Sequence, residues 1–130
     1  QNELLSNLGS PIIKQVDKNL KDGEWYFEVA SETIFVYANE RQLIYFENFD
    51  KPTMTNVVMV PIMMEMIGLL KDPEKYGDCS EFKWAKSIEK TLYDKQLDFD
   101  SFNGDTLRLC HSCLGYPVRM SNTKFEREDT

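Results

Sequence analysis

The sequence predicts an α+β domain, an antiparallel sheet of three to five strands packed with about three helices. Three observations carry this. Aromatic and β-branched residues crowd Glu24 to Phe49 in three runs divided by turn formers, the pattern of a meander. Apolar residues recur at helical spacing before that stretch and after it. A turn-rich segment around Gly115-Tyr116-Pro117 predicts a C-terminal hairpin that closes the sheet.

Taken in order, Leu4, Leu5, Leu8, Ile12, Ile13, Val16 and Leu20 repeat at helical spacing. Ser10-Pro11 supplies an N-cap and a first-turn proline, so a helix is expected from Pro11 to about Lys21. The meander follows. Trp25, Phe27 and Val29 share one face of its first strand, Ile34, Val36 and Ala38 one face of the second, and Leu43 and Tyr45 one face of the third. Tyr26, Phe35, Tyr37, Ile44 and Phe46 make the opposite face apolar as well, so both faces are expected to be covered, one by helices and the other by something else. "MTNVVMV" fits a fourth strand, and Pro61 opens a helix to about Lys71. Ser80 caps a further helix to about Lys95, with Phe82, Ala85, Ile88 and Leu92 on one stripe. Asp98 to Asp105 reads as loop, then Leu107–Cys110 and Pro117–Met120 as the hairpin. Residues 1–120 form one domain, and 121–130 a polar C-terminal tail.

In layout alone, this order of helix, meander, helix and hairpin in a small acidic chain resembles the chaperones of bacterial type III secretion. The helix opened by Ser80 departs from that pattern. As a likeness of layout without a shared motif, the resemblance says little about function.

Composition narrows the function. Net charge is −7, from 22 Asp+Glu against 15 Lys+Arg. Such a surface repels phosphate backbones and anionic lipid, so neither nucleic acid nor membrane is an expected partner. Lys83, Lys86 and Lys90 line one side of the Ser80 helix as its wet face. The longest apolar run, Val57 to Leu70, falls short of a bilayer and carries Glu65. Three cysteines and no Asn-x-Ser/Thr sequon point to a reducing, cytoplasmic setting. The chain opens on Gln1 rather than Met, which implies that a leading segment was removed.

The chemically richest stretch is "LRLCHSCLGYPVRM", Leu107 to Met120. Cys110 and Cys113 have the spacing with which two thiolates grip zinc from a turn, but a structural site needs four ligands. Only Cys79 and His111 remain, and His111 lies between the cysteines, so no metal site and no cofactor are expected. A redox motif needs its cysteines to open a helix, which Leu114 to Pro117 forbids. Cys110 is expected to pack inwards from a strand. Asp98 to Asp105 fails the calcium-loop register, with glycine seventh and Leu109 twelfth when counted from Asp98. With one histidine and no phosphate loop, nucleophile elbow or His-Glu-x-x-His, no catalytic residue is assigned.

Surplus apolar surface is what remains. Met59, Met63, Met64 and Met66 surround one helix, where core filling is the commoner use and an adaptable binding face the rarer one. The preferred reading is a non-enzymatic interaction protein: an adaptor, inhibitor, immunity protein or chaperone that meets a basic protein partner. Its binding residues are Tyr26, Phe35, Tyr37, Ile44 and Phe46, with Glu28 and Glu47 in the anionic rim. Self-association into a homo-oligomer would cover the same surface. The alternative is a ligand-binding or enzymatic domain with an aromatic and methionine-lined pocket between sheet and helix.

Overall fold

A computed structural model describes residues 3–4 and 8–119. Its sheet is mixed, in the order β1-β2-β4-β3. Three full strands build it: β2 (Ile12–Val16), β3 (Tyr26–Ala30) and β4 (Thr33–Ala38). The two-residue β1 (Glu3–Leu4) adds to the outer edge of β2. β4 is central, parallel to β2 and antiparallel to β3. The purely antiparallel sheet expected from sequence is thereby corrected.

The segment from Pro11, expected as a helix, is instead strand β2. Ile12, Ile13 and Val16 are stiff at χ1 and suit a pleated surface, and pairing with β4 decides the case. The meander keeps only two of its strands, joined at Ser31-Glu32 with Ala30 opposite Thr33. Its third run is helix α1 (Glu40–Glu47). Asn39 caps it, its Oδ1 accepting from the Gln42 N–H at 2.7 Å.

"MTNVVMV" is helical too. Asp50 caps α2 (Lys51–Met54), its Oδ1 accepting from the Thr53 N–H at 2.8 Å. The helix continues through a π-turn at Thr55–Met59 into α3 (Val60–Lys71). Proline inside a helix clashes with the carbonyl four residues back, and the wider turn just before Pro61 accommodates it. The full stretch Lys51–Lys71 has 21 residues, long and apolar enough to cross a bilayer by length and composition. In this fold it is the core helix, with Ile62, Met66 and Ile67 fully buried. Met59 and Met63 are buried with them, so most of the methionine stripe fills the core.

A short α4 (Pro73–Tyr76) leads to α5 (Lys83–Lys95), which buries Ala85, Ile88 and Leu92 of the expected stripe together with Trp84, while Phe82 lies just before the helix and is partly buried. Its N-terminus is capped from far away in sequence. Glu32, in the β3–β4 turn, accepts from the Lys83 N–H at 2.8 Å, while Ser80, the expected cap, donates its own N–H to Asp78. Beside this contact, the Trp84 indole N–H donates to the Ser31 carbonyl at 2.7 Å.

The C-terminal hairpin is absent from the described residues. Leu107–Cys110 lies in helix α6 (Thr106–Cys113), which Asp105 caps through the Arg108 N–H. Gly115 and Tyr116, both at positive φ, end that helix rather than joining two strands. The chaperone-like order of elements is therefore not the observed one. Six α-helices stand among the described residues, and α1, α3, α5 and α6 bury residues in one core with the sheet. Ile12, Ile34, Val36 and Ala38, each 0% exposed, face them.

Cys110 packs inwards as expected, though from α6, and burial pushes its thiol from an ordinary 9.0 up to about 12. Protonated Cys110 favours the fold; that contribution is whole below pH 9 and falls away as pH rises towards 12. Near neutral pH the Cys110 thiol therefore stays protonated in the folded protein. Iodoacetamide followed by peptide mass spectrometry is expected to label Cys79, only partly buried after α4, well before Cys110. Equal labelling rates would contradict the buried placement.

Candidate protein-interaction face

Alternation along the strands divides the sheet into two faces. Residues one step out of phase with the buried set point away from the helices: Ile13 and Gln15 on β2, Phe35 and Tyr37 on β4, Tyr26 and Glu28 on β3. The register places them in two rows. Ile13, Phe35 and Glu28 lie side by side, and so do Gln15, Tyr37 and Tyr26.

Tyr26 and Tyr37, directly opposite one another, stack with centroids 4.6 Å apart and planes 11° from parallel. Phe35 stands 6.4 Å from Tyr37 along β4. Carboxylates bind both phenols. Tyr26 donates its hydroxyl proton to Asp17 at 3.0 Å, and Tyr37 donates to Glu28 at 3.5 Å. Partial desolvation of the rings, then these carboxylates, push both phenols above their ordinary range. The rings therefore stay neutral donors at physiological pH, held by their acids.

This set lies apart from the hydrophobic core. Trp25, Phe27 and Val29 pack against the core, whereas Ile13, Tyr26, Phe35 and Tyr37 do not. Tyr26 is 46% exposed. The described helices cover one face, as expected, and this outer face is the other.

Of the residues expected to form the face, Tyr26, Glu28, Phe35 and Tyr37 come together. Ile44, Phe46 and Glu47 do not join them, because they sit on helix α1. Phe46 is a core residue, 1% exposed, set edge-on to Trp25 at 5.8 Å. Ile44 is exposed on that helix, and Glu47 forms an ion pair with Lys14, which shares the inward phase of β2 with Ile12. The sequence reading missed Ile13, Gln15 and Asp17. The adjacent β-branched pair Ile12-Ile13 was the available sign that this segment is a strand.

Metal chemistry finds no seat among the described residues, where no group of three or more His, Cys, Asp or Glu side chains converges. Cys110 and Cys113 lie three apart on α6, near its C-terminal end, where the helix dipole gives no help to a thiolate. Comparison with known proteins finds no family model, curated protein or solved structure that matches this chain.

Proposed function

We propose that this chain is a non-catalytic interaction protein that binds a basic protein partner through the outer face of its sheet. One observation carries the reading: the stacked Tyr26–Tyr37 pair and Phe35 stand outside the core, with Asp17 and Glu28 hydrogen-bonded to the rings. Aromatic residues supply large contact area at a small loss of side-chain freedom, and Tyr adds a polar tip. The acids around them, on a chain of net charge −7, favour Lys- or Arg-rich surfaces and speed encounter with them. The same net charge on both copies disfavours pairing of this face with itself.

The double variant Phe35→Ala/Tyr37→Ala tests this. Cross-strand pairs of this kind contribute roughly 0.2–1 kcal/mol each, so melting is expected to shift by only a few degrees. Basic proteins captured by the wild type, and released by added salt, are expected to be lost from the variant. A collapse of stability, or capture unchanged by the two substitutions, would remove the face from consideration. A concentration-dependent dimer that the variant abolishes would reassign it to self-association.

A further inference from the structure

A cleft of about 350 Å³ lies where the Lys51–Lys71 stretch, α5 and the end of α6 meet, and no strand residue lines it. We propose that this cleft binds a small amphipathic anion, its charged head between Lys51 and Lys95 and its short apolar body over Met59 and Met63. Unlike the interaction face, with which it shares no residue, the cleft is a small-molecule site.

Charge is the first argument. The chain carries 22 Asp+Glu against 15 Lys+Arg, yet the cleft is lined by two lysines and no carboxylate. Lys14, Arg41, Lys86 and Lys90 have acidic partners, whereas neither cleft lysine forms an ion pair among the described residues. On this acidic surface the cleft is a local reversal of sign. Lys95 also lies close enough to the cleft residue Cys113 for its charge to oppose the effect of burial on that thiol.

Helix phase is the second argument. Lys51, Thr55, Met59 and Met63 all line the cleft at strict four-residue spacing. In a uniform α-helix each four-residue step advances about 40° beyond a full turn, so such a stripe winds away from any fixed groove. The π-turn at Thr55–Met59 has more residues per turn and counters that drift. It keeps an ammonium, a hydroxyl and two thioethers on one wall. Single π-turns of this kind concentrate at functional sites.

The division of labour follows from the donors. The Thr55 hydroxyl already donates to the Lys51 carbonyl at 2.8 Å, and the Thr91 hydroxyl to the Ser87 carbonyl at 3.0 Å. Their single protons are taken, so the head of the ligand falls to the two ammoniums, with the Ser87 hydroxyl on the cleft wall as a further donor. Met59 and Met63, each only 4% exposed, form an apolar floor whose flexible thioethers adapt to chain shape. The volume sits at the small end of the roughly 300–1,000 Å³ range of ligand sites, which suits a short chain.

The test uses the full chain with carbon-13 methionine methyls, titrated with decanoate below its micelle concentration. Saturable shifts are expected at Met59 and Met63, with fully buried Met66 unmoved. Decyltrimethylammonium, of equal chain length and opposite charge, is expected to bind at least about tenfold more weakly. Decyl phosphate in a parallel arm shows whether a carboxylate or a phosphate head is preferred, and tighter binding of either supports the site. Lys51→Glu/Lys95→Glu, at two exposed positions, is expected to weaken the anions by about tenfold or more with the melting temperature retained. Absence of saturable shifts with both anions, or equal binding of the cation by the wild type, would overturn the proposal. So would inorganic phosphate matching decyl phosphate in affinity, because the apolar floor would then contribute nothing.

Discussion

Trp84→Ala is expected to lower the unfolding free energy by about 3–5 kcal/mol, the usual range for emptying the site of a large buried aromatic. For a domain of this size that corresponds to a melting shift on the order of 10–20 °C. Trp84 is 0% exposed, lies 5.8 Å from the Phe82 ring and joins α5 to the β3–β4 turn through Ser31. Alanine removes both the packing and the hydrogen bond. Trp84→Phe separates them in large part, because it retains an aromatic ring and loses the donor with only part of the ring volume. Its expected loss is smaller, about 1–2 kcal/mol, with the Ser31 carbonyl left short of a partner. Denaturant titration of the two variants measures the difference. A Trp84→Ala protein within 1 kcal/mol of wild type would mean that α5 is not seated on the sheet as described.

The second large effect is expected at Gly9. Its φ is +88°, a conformation that L side chains rarely adopt, and a Cβ built there would lie 2.7 Å from Ser87 Cβ and 3.0 Å from the Lys83 carbonyl. Gly9→Ala therefore combines backbone strain of about 1–3 kcal/mol with overpacking against α5, for roughly 2–4 kcal/mol in all. A double-mutant cycle with Ser87→Gly tells the two apart. Removing the Ser87 side chain relieves the closer of the two contacts and leaves the Lys83 carbonyl and the backbone strain. A favourable coupling of about 1–2 kcal/mol is expected between the substitutions, even though glycine inside a helix is itself destabilising. Strict additivity would contradict the close approach.

Which features were legible follows from where their causes lie. The strands β3 and β4 and the stripe on α5 were readable because their periods persist over enough residues and agree with local propensity. Tyr26, Phe35 and Tyr37 fell on one face for the same reason. "RQLIYF" was misread because its aromatic content outweighed a cap signal: Asn39 followed three residues later by Gln42. Asp50 with Pro52 likewise marked a helix start just before a run rich in β-branched residues. The Pro11 segment failed for the opposite reason. Its apolar spacing matches a helix, and the one local sign against it, the β-branched pair Ile12-Ile13, is decided by the partner strand about twenty residues later. No local pattern announces the Glu32 cap on α5, which spans 51 residues of sequence. The cleft was equally hidden, since it joins residues from three helices and depends on a π-turn that composition does not signal.

That π-turn also constrains how the length of this chain can change. Its bonds enclose one residue more than those of the α-helix on either side. Excising one residue within Thr55–Met59 would let uniform α-helical winding resume, and the residue lost from the wide turn roughly offsets that turn's slower winding, so the residues upstream keep their angle to α3. Phe49 and Met54 would stay on the core they pack against, and Lys51 on the wall it shares with Met63. Excision from the uniform α3 is the severe case, because nothing there absorbs the turn of about 100° that each residue contributes. The π-turn is thus the one stretch of this helix where chain length can change without a change of phase.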